Sequence, residues 1–295
     1  MAIVLTAGRT TVDVIMKTDR LSAKPEKIHA TDCHFTIGGP AANAAIAIAR
    51  QGGTSYLLTR LGQDHLGSFI SDILAAEGVD LSPSVMEPGA QSSISAALID
   101  RDGERQTINH AGSGFHHDIE ARALAMEPDA VLADNRYPDI TRFALAEARR
   151  LGVPAVLDAE APFDAAIAAA ATHIAFSRQG LEDFAGSTDL LAGLARADSV
   201  FDGFVCVTDG AAGVWYLEGS EVCNIKAFEV NVVDTVAAGD VWHGVFTLGL
   251  AEGMAVAEAM RRANAAAALK CTAFGGITAC PDSTACEKLM KENPS

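Results

Sequence analysis

Short aliphatic and β-branched runs alternate with longer stretches whose apolar residues recur every three to four positions. "AIVLTA" at residues 2–7 has the pattern of a buried strand, as do "SYLLTRLG" (55–62), "DAVLAD" (129–134), "PAVLDAE" (154–160), "HIAFS" (173–177) and "GFVCVTDG" (203–210). Between them lie helical patterns. "PAANAAIAIARQGG" begins at Pro40 and stops at a glycine pair, "HLGSFISDILAAEGV" is apolar at Phe69, Ile70, Ile73 and Leu74, and "ITRFALAEARRLG" follows the strand ending at Asp134. This alternation predicts an α/β chain with a mostly parallel sheet covered on both faces, in which ligands sit beyond the carboxyl ends of the strands.

Two regions break the alternation. Residues 11–37 and 92–110 carry "TTVDVIMKTDRL", "EKIHATDCHFTI" and "SSISAALIDRDGERQTINH", with a hairpin turn expected at Asp102–Gly103 and no convincing helix. Both are expected to be antiparallel strands forming a small sheet over one edge, so residues 1–295 read as a single domain with a β lid. A third stretch, "VVDTVAAGDVWHG" (232–244), reads as a strand end at Val232–Val233, a turn of small residues and a helix with apolar positions Val241, Val245 and Leu248. The N–H groups opening such a helix can serve a plain connection or hold an anion.

Hydrophobic residues make up 49% of the chain and charged residues 20%, an ordinary globular balance. The net charge of −16 argues against nucleic acid and anionic membrane as partners. It also requires any anionic substrate to meet a local cluster of Lys or Arg. The six cysteines show no metal or redox spacing, the N-terminus lacks a basic signal region, and no run approaches the roughly 20 apolar residues of a membrane helix, so a cytoplasmic protein is expected. His116–His117 and His243 lack further ligands at metal spacing, so no metal site is assigned to them; His116–His117 are expected to begin a helix and His243 to pack behind Asp240.

The chemistry concentrates in "GGPAAN" near residue 40 and "DTVAAGD" near residue 240. With "LGQDHLG", "LIDRDGER" and "VTDGAAG" in the same order and spacing, the chain resembles the ribokinase or phosphofructokinase-B family of sugar kinases over essentially its whole length. The resemblance implies a ribokinase-like three-layer α/β/α sandwich with a small β-sheet lid, ATP as phosphoryl donor, Mg2+, and a small-molecule sugar as acceptor. Phosphoryl transfer asks mainly for positioning and charge neutralisation. The N–H groups of Ala237, Ala238, Gly239 and Asp240 suit an anion hole, and Asp240 suits the general base that takes the hydroxyl proton. Taken alone, Asp240 reads equally well as a helix N-terminal acid that only favours the dipole. Gly38 and Gly39 would let the chain turn against a ligand without a Cβ. Asn43 and Asp13 would bind sugar hydroxyls; Thr208, Gly210 and Gly213 would admit the nucleotide phosphates and ribose; Asn264 would flank the adenine.

Two departures from the family pattern matter. Ala237 stands where the family has Gly, which costs little if the position is helical and strains the chain if φ is positive; the first is expected. The family's N-x-x-E element is replaced by Ser177 and Gly180, with Glu182 nearby but out of register. Within the family, "VLAD-x-R", "HIAFS-x-x-GL" and "ALKCT…GG" resemble the bacterial sulfofructose kinases. This likeness implies 6-deoxy-6-sulfofructose, phosphorylated on its 1-hydroxyl, with Lys27 and Asn109 on lid strands and Arg136 at a strand end holding the sulfonate. A neutral ketose, fructose 6-phosphate, ribose or a nucleoside is the alternative acceptor, and a non-catalytic sensor the alternative of another class. The lid strands are expected to pair two subunits into a homodimer.

Overall fold

The computed structural model describes residues 1–102, 104–116, 119 and 124–294. In chain order it begins with β1 (Ile3–Ala7), β2 (Thr11–Thr18), β3 (Ala30–Gly38), α1 (Pro40–Arg50), β4 (Thr54–Leu58), β5 (Arg60–Gly62) and α2 (His65–Ala76). There follow β6 (Val79–Asp80), β7 (Val85–Glu87), β8 (Ile94–Ile99), β9 (Arg105–His110), β10 (Ala130–Asp134), α3 (Pro138–Leu151) and β11 (Ala155–Ala159). The remainder comprises α4 (Ala165–Ala168), β12 (His173–Ser177), α5 (Arg178–Ala185), α6 (Leu190–Val200), β13 (Phe204–Thr208), β14 (Val214–Glu218), β15 (Glu221–Ile225), α7 (Ala238–Ala251), α8 (Val256–Lys270) and α9 (Ser283–Glu292).

Among the described residues the main sheet has nine strands in the order β15-β14-β13-β12-β11-β10-β1-β4-β6. It is parallel from β6 to β13 and antiparallel only across β13–β14–β15. Strands β10 and β11 are buried along their whole length, which is why they read as apolar runs with an acid at or next to the carboxyl end, Asp134 and Asp158. Two apolar layers close the sandwich. One packs α1, α7 and α8 on one face of the sheet; the other packs α3, α5 and α6 on the opposite face. The helices start and stop on local signals. Pro40 opens α1, Asp64 caps α2 by accepting from the Gly67 N–H, and Gly152 and Gly186 close α3 and α5 in the left-handed conformation.

Strand β1 lies between β4 and β10, so the chain leaves it in both directions across the sheet. A crevice forms beyond the carboxyl ends of strands at such a switch point. Over it stands a second sheet, order β3-β2-β8-β9. The sequence pattern suggested antiparallel strands throughout. The hairpins β2–β3 and β8–β9 are antiparallel, but β2 and β8, which join them, are parallel. The reason is topological: the chain returns to the main sheet between the hairpins and re-enters the lid in the same direction. The expected turn at Asp102–Gly103 includes Gly103, which lies outside the described residues. Val232 and Val233 are not a strand end; both are exposed in the irregular segment before α7, where the Val233 N–H bonds the Cys271 carbonyl at 2.8 Å.

Candidate active site

The turn before α7 separates two cavities. On one side lies a space of about 650 Å³ whose wall includes Thr208, Gly210, Gly213, Thr235, Ala238, Gly239, Trp242, Asn264 and Cys271. On the other, under the second sheet, lies a space of about 300 Å³ walled by residues including Arg9, Asp13, Gly39, Asn109, Arg136, Glu160 and Val236. A two-substrate transfer needs such an arrangement, with a donor chamber and an acceptor chamber meeting at one anion-binding turn.

Ala237 is the N-cap of α7 at φ 63° and ψ 8°, the only non-glycine residue among those described with positive φ. The expectation of a helical Ala237 is therefore wrong. Its Cβ sits in the left-handed region at a cost of about 1–2 kcal/mol, the penalty that glycine escapes. The Ala238 N–H is spent on the Thr235 carbonyl at 3.2 Å, so of the two it is the Gly239 N–H that the turn leaves at the helix entrance. A Cβ added at Gly239 or Gly210 would meet nothing within 4 Å, so both open onto free space that a ligand can fill.

Asp240 lies in the first turn of α7, half-buried, and its Oδ2 accepts from the Asn43 amide at 2.6 Å. Burial pushes its carboxyl up to about 6, opposed by the Asn43 hydrogen bond and assisted by Glu160, Asp134 and Asp13. Neither Asp240 nor Asn43 walls either cavity; the pair sits just behind the turn. Asn43 is buried and directs its amide nitrogen to the Asp240 carboxylate, which fixes the orientation of that side chain.

The glycines of "GGPAAN" answer to the chain, not to a ligand. A Cβ at Gly38 would stand 2.0 Å from the Asp13 carboxylate, and one at Gly39 (φ 93°) 2.4 Å from the Arg9 carbonyl. Gly213 is similar, with the Ile225 carbonyl 2.2 Å from its missing Cβ, whereas Gly210 faces the larger cavity. Thr208 donates to the Phe176 carbonyl at 3.3 Å. Asn264 walls the larger cavity as expected, but its polar atoms are spent within the protein. It donates to the Ile225 and Lys226 carbonyls, both at 3.0 Å, and accepts from the Trp242 indole at 2.8 Å. Asn264 therefore fixes the cavity wall.

The three residues expected to hold an anion do not all converge. Asn109 and Arg136 wall the smaller cavity, but Lys27 does not; it is exposed in the loop between β2 and β3, not on a strand. Arg136 is largely committed, donating to the Ala161 carbonyl at 2.8 Å and pairing with Glu160. A residue that sequence reasoning missed, Arg9, stands in the wall instead. Its backbone N–H bonds Asp134 at 2.8 Å, and its guanidinium has no hydrogen-bond or ion-pair partner among the described residues.

Asp134 was also missed as a functional residue, although "VLADNR" displays a strand ending in an acid. Its carboxylate accepts from the backbone of Arg9 and Arg136, both at 2.8 Å, and of Ala41 at 3.3 Å, tying the ends of β1 and β10 to the start of α1. Burial pushes it up to about 6 against these hydrogen bonds. His243 does pack behind the turn: it is buried, its Nε2 lies 3.2 Å from the Ala175 carbonyl and 3.6 Å from Asp158, and burial lowers its pKa while raising that of Asp158. His116 is not helical; its N–H donates to the Glu87 carboxylate at 2.9 Å, and His117 lies outside the described residues. No group of three or more His, Cys, Asp or Glu among the described residues is arranged to hold a metal.

The missing N-x-x-E element has a steric reason. Ser177 caps α5 through the Gly180 N–H at 3.0 Å, and a Cβ at Gly180 would lie 2.0 Å from the Ala159 carbonyl. Glu182 turns away to Arg178 at 2.9 Å.

Residues 1–283 match the profile of the pfkB family of carbohydrate kinases. The ribokinase of Bacillus subtilis is 28% identical over 291 residues, covering 96% of this chain and 97% of that protein. The fructokinase of Klebsiella pneumoniae is 29% identical over 280 residues, covering 83% and 88%. A crystal structure of a protein assigned as a ribokinase, from Agrobacterium tumefaciens, superposes with a TM-score of 0.89 at 33% identity over 99% of this chain and 98% of that one.

Proposed function

The chain belongs to the pfkB family of carbohydrate kinases, and we propose that within it the chain phosphorylates the 1-hydroxyl of an anionic ketose of the 6-deoxy-6-sulfofructose type. The class of reaction follows from the family: a phosphotransferase with an alcohol acceptor, using ATP with Mg2+. The acceptor oxygen attacks the γ-phosphorus, the bond to the β-phosphate breaks, and ADP leaves. Asp240 takes the hydroxyl proton, Asn43 holds its carboxylate, and the Gly239 N–H at the opening of α7 receives charge of the transferred group. The 650 Å³ cavity, with open space at Gly210 and Gly239, has the size and small-residue wall for a nucleotide. Mg2+ would arrive on the nucleotide phosphates, where it neutralises charge.

The observation that carries the anionic reading is the guanidinium pair in the acceptor cavity. Arg136 pairs with Glu160, whereas the Arg9 guanidinium has no hydrogen-bond or ion-pair partner among the described residues, and such a cation in a half-buried pocket, even with the Asp13 carboxylate in the same wall, suits an anionic substrate group. Asn109, Thr107 and Ser95 supply neutral donors in the same wall. The fructokinase and ribokinase relatives favour a second reading, a neutral sugar, for which Arg9 would face hydroxyls.

Three measurements test this. Asp240→Asn should lower kcat by roughly 10²–10⁴-fold with sugar affinity nearly unchanged; turnover within about tenfold of wild type would remove Asp240 as base. Across sulfofructose, fructose 6-phosphate, fructose, ribose and nucleosides, ADP release should favour an anionic ketose. Arg9→Ala should then raise KM for that ketose at least about tenfold more than for fructose, because a charge-assisted contact loses more than a neutral one. A wild-type preference for fructose leaves the family-level kinase and removes the anionic reading.

A further inference from the structure

Lys270 ends α8 with its side chain completely buried, and the chemistry above gives this cation no task. Its ammonium donates to the backbone carbonyl of Asp234 at 2.8 Å and stands 3.2 Å from the Asp234 carboxylate. Asp234 is the hub of the segment entering the anion-binding turn. Its Oδ1 accepts from the Val236 N–H at 2.9 Å, and its Oδ2 from the Gly275 and Gly276 N–H groups at 3.1 and 2.9 Å. Its own N–H bonds the Cys271 carbonyl at 3.2 Å. Burial would raise the Asp234 carboxyl, but the Gly276 and Val236 amides and the Lys270 ammonium hold it below its ordinary range.

These contacts join three segments: the end of α8, the Gly275–Gly276 corner and the entry to α7. Ala237, the residue in the left-handed region, lies three positions after Asp234. A strained residue persists only where its surroundings over-determine it, and here the Lys270–Asp234 pair provides that constraint. The pair is neutral as a unit, so its effect on the reaction runs through geometry more than through long-range field.

We propose that Lys270 is a positioning residue for phosphoryl transfer. Through Asp234, its buried ammonium locks the turn so that the Gly239 N–H and the Asp240 carboxylate stay aligned on the transferred group. This rests on the reading of the turn as the phosphoryl seat.

Lys270→Met keeps the length of the side chain and removes its charge. At a temperature where circular dichroism shows it folded, its kcat is expected to fall roughly ten- to hundredfold, the scale of a small misplacement of reacting groups. Sugar affinity by calorimetry should stay within about twofold, since Asp234 holds one residue of the acceptor wall, Val236, and the polar groups of that wall lie elsewhere. Lys270→Ala leaves room beside Asp234, and ammonium or methylammonium ions should restore part of kcat where tetramethylammonium at equal ionic strength does not. If Lys270→Met does not fold, Asp234→Asn, which keeps the side-chain shape and removes the partner charge, should show the same drop. Turnover within about threefold of wild type in a folded variant overturns the proposal, as does equal recovery with every cation, which would assign the loss to packing. A wild-type-like Lys270→Met beside an inactive Asp240→Asn removes only the role of Lys270; an active Asp240→Asn removes the seat itself.

Discussion

Asp240 sets the pH dependence of the reaction proposed here. Burial first, then Glu160, Asp134 and Asp13, raise its carboxyl to about 6 against the Asn43 hydrogen bond. A base works ionised, so kcat should be level above pH 7 and fall with unit slope below about 6. Asn43→Ala removes the hydrogen bond that lowers the value, so the acid limb should move to higher pH, read directly from pH–rate profiles of the two proteins. A kcat constant from pH 5 to 8 would take the base role away from Asp240. This residue was legible from sequence because its neighbours in the chain, "AAGD", carry the pattern. Arg9 was not, since its place in the acceptor wall depends on β1 ending beside β10, more than a hundred positions away.

At the scale of elements, α5 shows how packing limits chemistry. Its first turn runs so close to the end of β11 that Gly180 is the residue that fits, the Ala159 carbonyl occupying the space of any Cβ. Restoring the family's acid by Gly180→Glu should therefore destabilise the fold by about 1–3 kcal/mol, the usual penalty of overpacking, without raising kcat. Denaturant unfolding and turnover of the variant check both halves; an unchanged stability with higher kcat would show that the loop has room for the missing carboxylate. Helix α1 was readable from Pro40 and the glycine pair that follows it, because such stop and start signals are local. The parallel pairing of β2 with β8 was not, because strand pattern gives an inward face but no direction.

For the whole molecule, we propose that the second sheet pairs with that of another copy. Phe35 on the edge strand β3 is 63% exposed and Ile108 on the edge strand β9 is 70% exposed, an apolar and hydrogen-bonding surface that association would cover. Sedimentation equilibrium should report twice the chain mass of 30.6 kDa, and Ile108→Asp should shift it toward the monomer. A wild-type monomer at micromolar concentration would refute the pairing. The sequence by itself determined the strand–helix alternation, the parallel sheet and the family, with Asp240 as the base proposed from it, since these rest on periodicity and on motifs contiguous along the chain. Only the tertiary structure decided that Ala237 is left-handed, that Lys27 lies away from the acceptor cavity while Arg9 faces it, and that Lys270 is buried against Asp234. Each of these depends on which distant segments meet, and on the burial and charge of that meeting, which no local pattern encodes.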